Sequence, residues 1–168
     1  MEIPTEKLKE LREQTGAGIM ACRNALVEAE ADMEKALEIL KEQSLFIVEK
    51  KKQRTTSQGL IEAYIHPGGR IGSMIELNCE TDFVARTDEF KELAHNLAMQ
   101  VAAMGPEYVS ADDIPGGEDS DAGAVCLLNQ AYIRDPNFTI LDVINEVVAK
   151  VGENIKVARF ARYEIGGG

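Results

Sequence analysis

Ile61-Glu62-Ala63-Tyr64-Ile65-His66-Pro67-Gly68-Gly69-Arg70-Ile71-Gly72-Ser73-Met74-Ile75-Glu76-Leu77-Asn78-Cys79 is the stretch in which the apolar period changes to two. Ile61, Ala63 and Ile65 alternate against Glu62, Tyr64 and His66, and Ile71, Ile75, Leu77 and Cys79 resume the alternation after the turn. Successive side chains of a strand point to opposite faces, and Pro and Gly between two such runs mark a reversal, so an antiparallel hairpin is predicted. Upstream the spacing is helical. Leu8 and Leu11 mark a first face, Ile19, Cys22, Leu26 and Ala29 a second, and Met33, Ala36, Leu37 and Leu40 a third. Three short helices in roughly the first 45 residues follow from that period. Gly16-Ala17-Gly18 supplies a sharp connection and Asp32 an N-cap for the third helix.

Downstream, Phe90, Leu93, Ala94, Leu97, Ala98, Val101 and Ala102 recur at helical spacing between a Thr87 cap and a Gly105-Pro106 stop. Residues 110–123 collect Gly, Pro, Ser and Asp and read as an exposed loop. A second helix is predicted from about Thr139 to Val151, with Gly152 ending it. A strand follows over 155–165, its alternation slipping around Arg159, where a bulge is expected. The class is α+β: a small N-terminal three-helix (UBA-like) bundle, then an α+β domain with a mainly antiparallel three-stranded sheet and helices packed on it. The division is 1–48, a basic linker over 49–58, and 59–168.

A chain of 168 residues with 45% hydrophobic and 28% charged residues is ordinary for a globular protein. Its net charge of −11 opposes phosphate backbones. The charge is uneven: −4 over 1–48, +3 over 49–58 and −10 over 59–168. Lys50-Lys51-Lys52-Gln53-Arg54 is therefore a basic island, read as a solvated linker. Three cysteines without a C-x-x-C pair leave at least one thiol unpaired, which suits a reducing compartment, and the N-terminus lacks the pattern of a secretion signal. A cytoplasmic location is expected. No apolar run approaches the roughly 20 residues of a membrane span.

Candidates for chemistry are few. Cys79 with His66 or His95 could form a thiol-imidazole pair, but Cys79 shares a strand face with Ile75 and Leu77 and reads as a buried structural cysteine. His95 lies on the polar side of its helix. Two histidines and three scattered cysteines show no zinc spacing, and Glu118-Asp119-Ser120-Asp121 lacks the glycine and distal glutamate of a calcium loop. There is no phosphate-binding glycine motif, so no metal or cofactor is expected. One stretch stands out: in Glu76-Leu77-Asn78-Cys79-Glu80-Thr81-Asp82-Phe83-Val84-Ala85-Arg86 an apolar strand runs into an acidic-aromatic corner, a tip suited to docking on a partner.

That stretch, with Leu11-Arg12-Glu13-Gln14-Thr15-Gly16-Ala17-Gly18-Ile19-Met20-Ala21-Cys22-Arg23-Asn24-Ala25-Leu26, resembles the two signature regions of the elongation factor Ts family, in the same order. The resemblance continues through His66–Met104, Gly152–Ile155 and Arg159–Glu164. It implies a guanine-nucleotide exchange factor of translation elongation, not an enzyme, that binds elongation factor Tu in its GDP-bound and nucleotide-free states, disturbs the magnesium-phosphate site and promotes GDP release. By resemblance, Thr81, Asp82, Phe83 and Val84 act at that site. Leu11, Arg12, Thr15, Gly16, Ala17, Gly18, Ile19, Met20 and Arg23 form a second docking surface. Direct nucleic-acid and membrane contacts are not implied, and a homodimer is admitted. Ala21 and Asn24 depart from residues common in the family, and the loop between Pro115 and Leu127 is short, as in a short form. The competing readings are a ribosome- or RNA-associated module built on Lys50–Arg54 and a thiol enzyme built on Cys79.

Overall fold

Leu8 and Leu11 lie one turn apart on α1 (Thr5–Thr15), which Pro4 precedes and Gly16 ends in a left-handed conformation at φ 67°. Gly18 opens α2 (Ile19–Glu28) and Asp32 opens α3 (Met33–Lys51), its carboxylate accepting the Lys35 amide at 3.1 Å. The computed structural model describes residues 2–117 and 121–167 and divides into two compact units, 1–52 and 53–168. In the first, Leu11, Cys22, Ala25, Leu26, Ala29, Ala36 and Leu40 form the buried core, with Leu8, Met33 and Leu37 packed against it. Ile19, read from its spacing as part of that face, is instead half-exposed, and Ala25 occupies the core. The small alanine lets α2 approach its neighbours closely. The α2–α3 turn places Glu30 and Ala31 at positive φ, and the Lys7 ammonium holds the Ala31 carbonyl at 2.6 Å.

Helix α3 is longer than expected and takes in Glu49, Lys50 and Lys51. The basic segment is thus helical in its first part rather than a linker from 49 onward. Lysines in a last helical turn face the negative end of the helix dipole, which favours that extension. The Lys50 ammonium lies 4.6 Å from the centre of the Phe46 ring.

The second unit runs β1 (Gln58–Ile65), β2 (Ile71–Cys79), α4 (Asp82–Ala85), α5 (Asp88–Met104), α6 (Ala122–Val125), β3 (Ala131–Tyr132), β4 (Asp135–Thr139), α7 (Ile140–Val151) and β5 (Ile155–Glu164). The main sheet has the order β1-β2-β5 and is antiparallel throughout. Helix α5 crosses β1 and β2, burying Phe90, Leu93, Ala94, Leu97, Ala98 and Val101. Each such leucine or phenylalanine contributes roughly 1.5 to 3 kcal/mol.

Register decides which face is core. Leu60 pairs with Leu77, Glu62 with Ile75 and Tyr64 with Ser73. Directly opposed residues share a face, so the burial of Ile75 and Leu77 turns Leu60, Glu62 and Tyr64 toward α5. Ile61, Ala63 and Ile65, the apolar alternation of β1, point the other way and are exposed, beside Met74, Ala161 and Tyr163. Gly59 sits against the partner strand: a Cβ there would meet the Leu77 carbonyl oxygen. On β5 the pairing passes from Glu76–Arg159 to Leu77–Val157, leaving Ala158 as the extra residue of the bulge.

The loop expected over 110–123 contains 3-10 turns at Ala111–Asp113 and Pro115–Gly117 and the start of α6. Glu118, Asp119 and Ser120 of the acidic cluster lie outside the described residues. The β3–β4 hairpin was not expected. Its strands are too short for a period to show, and a buried polar network attaches it to α5. The Gln100 amide donates to Gln130 Oε1 at 3.2 Å and to the Ala131 carbonyl at 3.1 Å, and its oxygen accepts the Ile133 amide at 3.0 Å. Thr139 and Asp142 then cap α7 reciprocally.

Removing Gln100 leaves the buried Gln130 Oε1 without its donor, at about 1 to 3 kcal/mol, and also loses the two part-buried bonds to Ala131 and Ile133, whose backbone groups can turn to water at smaller cost. Gln100→Ala is therefore expected to lower the thermal midpoint and to abolish hydrogen-exchange protection at Ile133 while the amides of β2 stay protected. Undiminished protection at Ile133 would show that the network does not hold the hairpin.

Candidate functional site

Strand β2 ends at a buried cysteine, and the chain then turns outward. The Cys79 thiol donates to the Thr81 carbonyl at 3.1 Å, and burial, aided by the charge of Glu153, raises its pKa above the ordinary 9.0. The thiol is kept neutral, the opposite of an activated nucleophile. The imidazoles are engaged elsewhere: Tyr64 hydroxyl and His66 Nδ1 are 3.1 Å apart, and His95 Nδ1 lies 3.7 Å from Glu62.

Thr81 caps α4, its hydroxyl oxygen accepting the Val84 amide at 3.4 Å. It also donates its amide to Glu153 Oε1 at 2.9 Å and its hydroxyl to Oε2 at 2.7 Å. Thr87 closes the other end, donating to the Val84 carbonyl at 2.7 Å and accepting the Phe90 amide that starts α5. Val84 and Ala85 point down and are buried; Phe83 points out and is 77% exposed. Asp82 is exposed beside it and meets the Arg86 guanidinium at 3.1 Å.

The four residues of the corner therefore divide by role. Asp82 and Phe83 form the presented surface, Thr81 holds the helix start, and Val84 is the anchor beneath. The Phe83 ring is thus held in solvent above the buried base of Val84 and Ala85.

The N-terminal unit offers a second surface. Thr15 donates to the Leu11 carbonyl at 2.7 Å and accepts the Ala17 amide at 3.2 Å, which shapes Gly16-Ala17-Gly18. Beyond it, Ile19 and Met20 are 51% and 60% exposed, and Arg23 follows them by one turn on α2. Arg12, Gly16, Gly18 and Arg23 are exposed, and Thr15 and Ala17 are half-buried. Leu11 is fully buried, so it serves the core and cannot itself touch a partner. Sequence reading did not single out Leu45, Phe46 and Ile47, which are exposed on α3. It also missed the support that Glu153 gives Thr81, since a contact spanning 72 residues leaves no periodic trace.

Among the described residues, no group of three or more His, Cys, Asp or Glu is placed to hold a metal ion, and no helix is long and apolar enough to cross a membrane.

The profile of the family described as Elongation factor TS matches residues 6–118. The chain is 50% identical to Elongation factor Ts of Thermotoga petrophila, in an alignment of 196 positions taking in 100% of this chain and 98% of that protein. It is 46% identical to Elongation factor Ts of Caldanaerobacter subterraneus subsp. tengcongensis, over 99% of this chain and 98% of that one. Against the protein of that name in Carboxydothermus hydrogenoformans the identity is 45%, covering 99% and 90%. Since the 196 aligned positions exceed the chain's 168 residues, at least 28 of them hold no residue of this chain.

The division of roles at the corner is open to measurement. Phe83→Ala should leave the denaturation midpoint within the roughly 0.5 kcal/mol typical of surface changes, whereas Val84→Asp buries an unpaired carboxylate and should cost several times that. Circular dichroism during urea unfolding distinguishes them; equal destabilisation by both would place Phe83 in the core.

Proposed function

The chain belongs to the elongation factor Ts family, and so to the elongation factors of protein biosynthesis, and we propose that it is a guanine-nucleotide exchange factor acting on elongation factor Tu. The observation that carries the reading is Phe83, exposed on the buried base of Val84 and Ala85. In this reading the factor binds elongation factor Tu·GDP in the cytoplasm, with Asp82 and Phe83 entering near the magnesium-phosphate site. It performs no covalent chemistry. Magnesium demands near-ideal octahedral geometry, so a small displacement of the elements supporting it loosens ion and diphosphate together.

Magnitude requires more than one contact. Weakening a nucleotide by ~10⁴-fold needs about 5.5 kcal/mol, and burying one phenylalanine yields roughly 1.5 to 3 kcal/mol. The surface of Arg12, Ile19, Met20 and Arg23 supplies the remainder by holding the factor on its partner. Thr15, Gly16, Ala17 and Gly18 shape that surface.

The basic segment does not favour an RNA-binding reading. Lys50 and Lys51 belong to the end of α3, where they complement the helix dipole, and Arg54 is 3.7 Å from the Glu80 carboxylate, so each of these charges has a structural partner within its own unit.

A second copy of the chain is the proposed partner of the outer sheet face. Ile61, Ile65 and Tyr163, 60%, 65% and 77% exposed, border Met74 and Ala161 on one face of the sheet, which a twofold axis would pair with itself. Glu76 and Arg159, paired at 3.0 Å, sit on that same face and give it opposite charges that a second copy could cross-match.

Purified elongation factor Tu loaded with fluorescent GDP tests the exchange reading. The chain should accelerate release, and Phe83→Ala should lower the rate by roughly 10- to 100-fold, the equivalent of about 1.5 to 3 kcal/mol. Lys50, Lys51 and Lys52 changed together to Gln should alter it little. No acceleration by the parent chain, with tight salt-sensitive RNA binding lost in the triple variant, would favour the RNA reading. For the homodimer, sedimentation equilibrium should give twice the monomer mass, and Ile61→Asp with Tyr163→Asp should return monomer; a monomeric parent at tens of micromolar contradicts it.

A further inference from the structure

A helix of four residues has no stability of its own, because the first turn costs more conformational entropy than its hydrogen bonds return. The orientation of Phe83 on α4 must be imposed from outside, and the buried side chains of Val84 and Ala85 fix only its lower face. What fixes its start is a crossed pair of carboxylates joining two distant segments. Glu153, two residues before β5, takes both the amide and the hydroxyl of Thr81, at 2.9 and 2.7 Å. In return Glu80, the residue before Thr81, takes the amide of Asn154, the residue after Glu153, at 2.8 Å. The Asn154 side chain adds a bond to the Arg54 carbonyl at 2.8 Å, and Arg54 itself lies 3.7 Å from Glu80.

The consequence for Thr81 is specific. With its hydroxyl proton committed to Glu153, the same oxygen is left to accept the Val84 amide, so the capping rotamer is the one the carboxylate selects. Glu153 is itself placed by the end of α7, where Gly152 adopts the left-handed conformation at φ 76°, and by the start of β5, where Ile155 pairs with Cys79. The corner is thereby held to α7 and β5 as well as to its own strand.

We propose that Glu153 is a positioning residue for nucleotide exchange: it acts through Thr81 to hold α4, and with it Phe83, in the orientation that enters the partner. The proposal rests on the exchange reading for its function, but the clamp has a readout of its own. Glu153→Ala removes both acceptors. Glu153→Gln keeps a carbonyl oxygen for the Thr81 amide and loses the acceptor for its hydroxyl.

The test is made on the full chain with native Phe83. Backbone ¹⁵N relaxation of Asp82, Phe83 and Val84 should give order parameters of about 0.85 in the parent and below about 0.6 in Glu153→Ala, with Glu153→Gln between them. The maximal rate of GDP release from elongation factor Tu should fall about tenfold or more in Glu153→Ala, with partial recovery in Glu153→Gln and a smaller change in the half-saturating concentration. Amide spectra of β2 and α5 matching those of the parent establish that the fold is retained. Order parameters at residues 82–84 unchanged in Glu153→Ala overturn the proposal, as does unchanged exchange despite a loosened corner. If the corner loosens but neither the parent nor Phe83→Ala affects GDP release, the exchange reading fails and the assignment of Glu153 to exchange fails with it, while the clamp itself is seen directly.

Discussion

A strand hydrogen-bonded along both edges cannot slip by one residue without exchanging its two faces, and β2 is such a strand. Its alternation of Ser73, Ile75, Leu77 and Cys79 lies under α5, and the placements of β1, β5 and the exposed corner follow from that. Pairing with β1 turns Leu60 and Tyr64 inward and Ile61 and Ile65 outward. Pairing with β5 brings Ile155 opposite Cys79 and so delivers Glu153 to the point where β2 ends. The exposed corner is the continuation of the most constrained strand in the unit. A flexible side chain would lose much of its binding energy in being ordered by a partner, and an aromatic ring on a fixed base loses little.

Much of this was legible in the residues. A period of two with a Pro-Gly-Gly turn specifies a hairpin, and the long apolar stripe from Phe90 to Ala102 with Thr87 before it specifies α5 and its cap. The slip around Arg159 located the bulge within one residue, at Ala158. What the sequence concealed has physical reasons. Ile61, Ala63 and Ile65 look like a core face because apolarity does not say which side of a sheet is covered; only the register with β2 does. The length of α3 was hidden because lysines suit a linker and a helix C-terminus equally. The β3–β4 hairpin is tied down by Gln100, a buried polar residue whose partners lie some 30 positions away in the chain.

The candidate site was legible in part. A phenylalanine between an aspartate and a valine at the end of an apolar strand marks a surface tip, and the structure has Phe83 outward over Val84. In the N-terminal stretch, Leu11 proved to be core, because a leucine in a signature can be retained for packing as easily as for contact. Ile19 is the reverse case, an apolar residue at helical spacing that faces solvent, as its neighbour Met20 does. Nothing in the spacing of Thr81 and Glu153 connects them; that contact exists only once α7 has ended and β5 has begun.

An exchange factor of the kind proposed is defined by a coupling free energy: whatever factor it removes from the affinity of its partner for GDP, GDP must remove from the affinity of the partner for it. The exposed corner acts against the nucleotide rather than simply alongside it only if that coupling is large. The direct measurement is titration calorimetry of the chain against elongation factor Tu, once nucleotide-free and once saturated with magnesium and GDP. The account predicts binding to the nucleotide-free form tighter by several orders of magnitude, on the scale of ~10⁴-fold or about 5.5 kcal/mol. Equal affinity for the two forms would contradict it, since a ligand that does not distinguish two states cannot shift the balance between them.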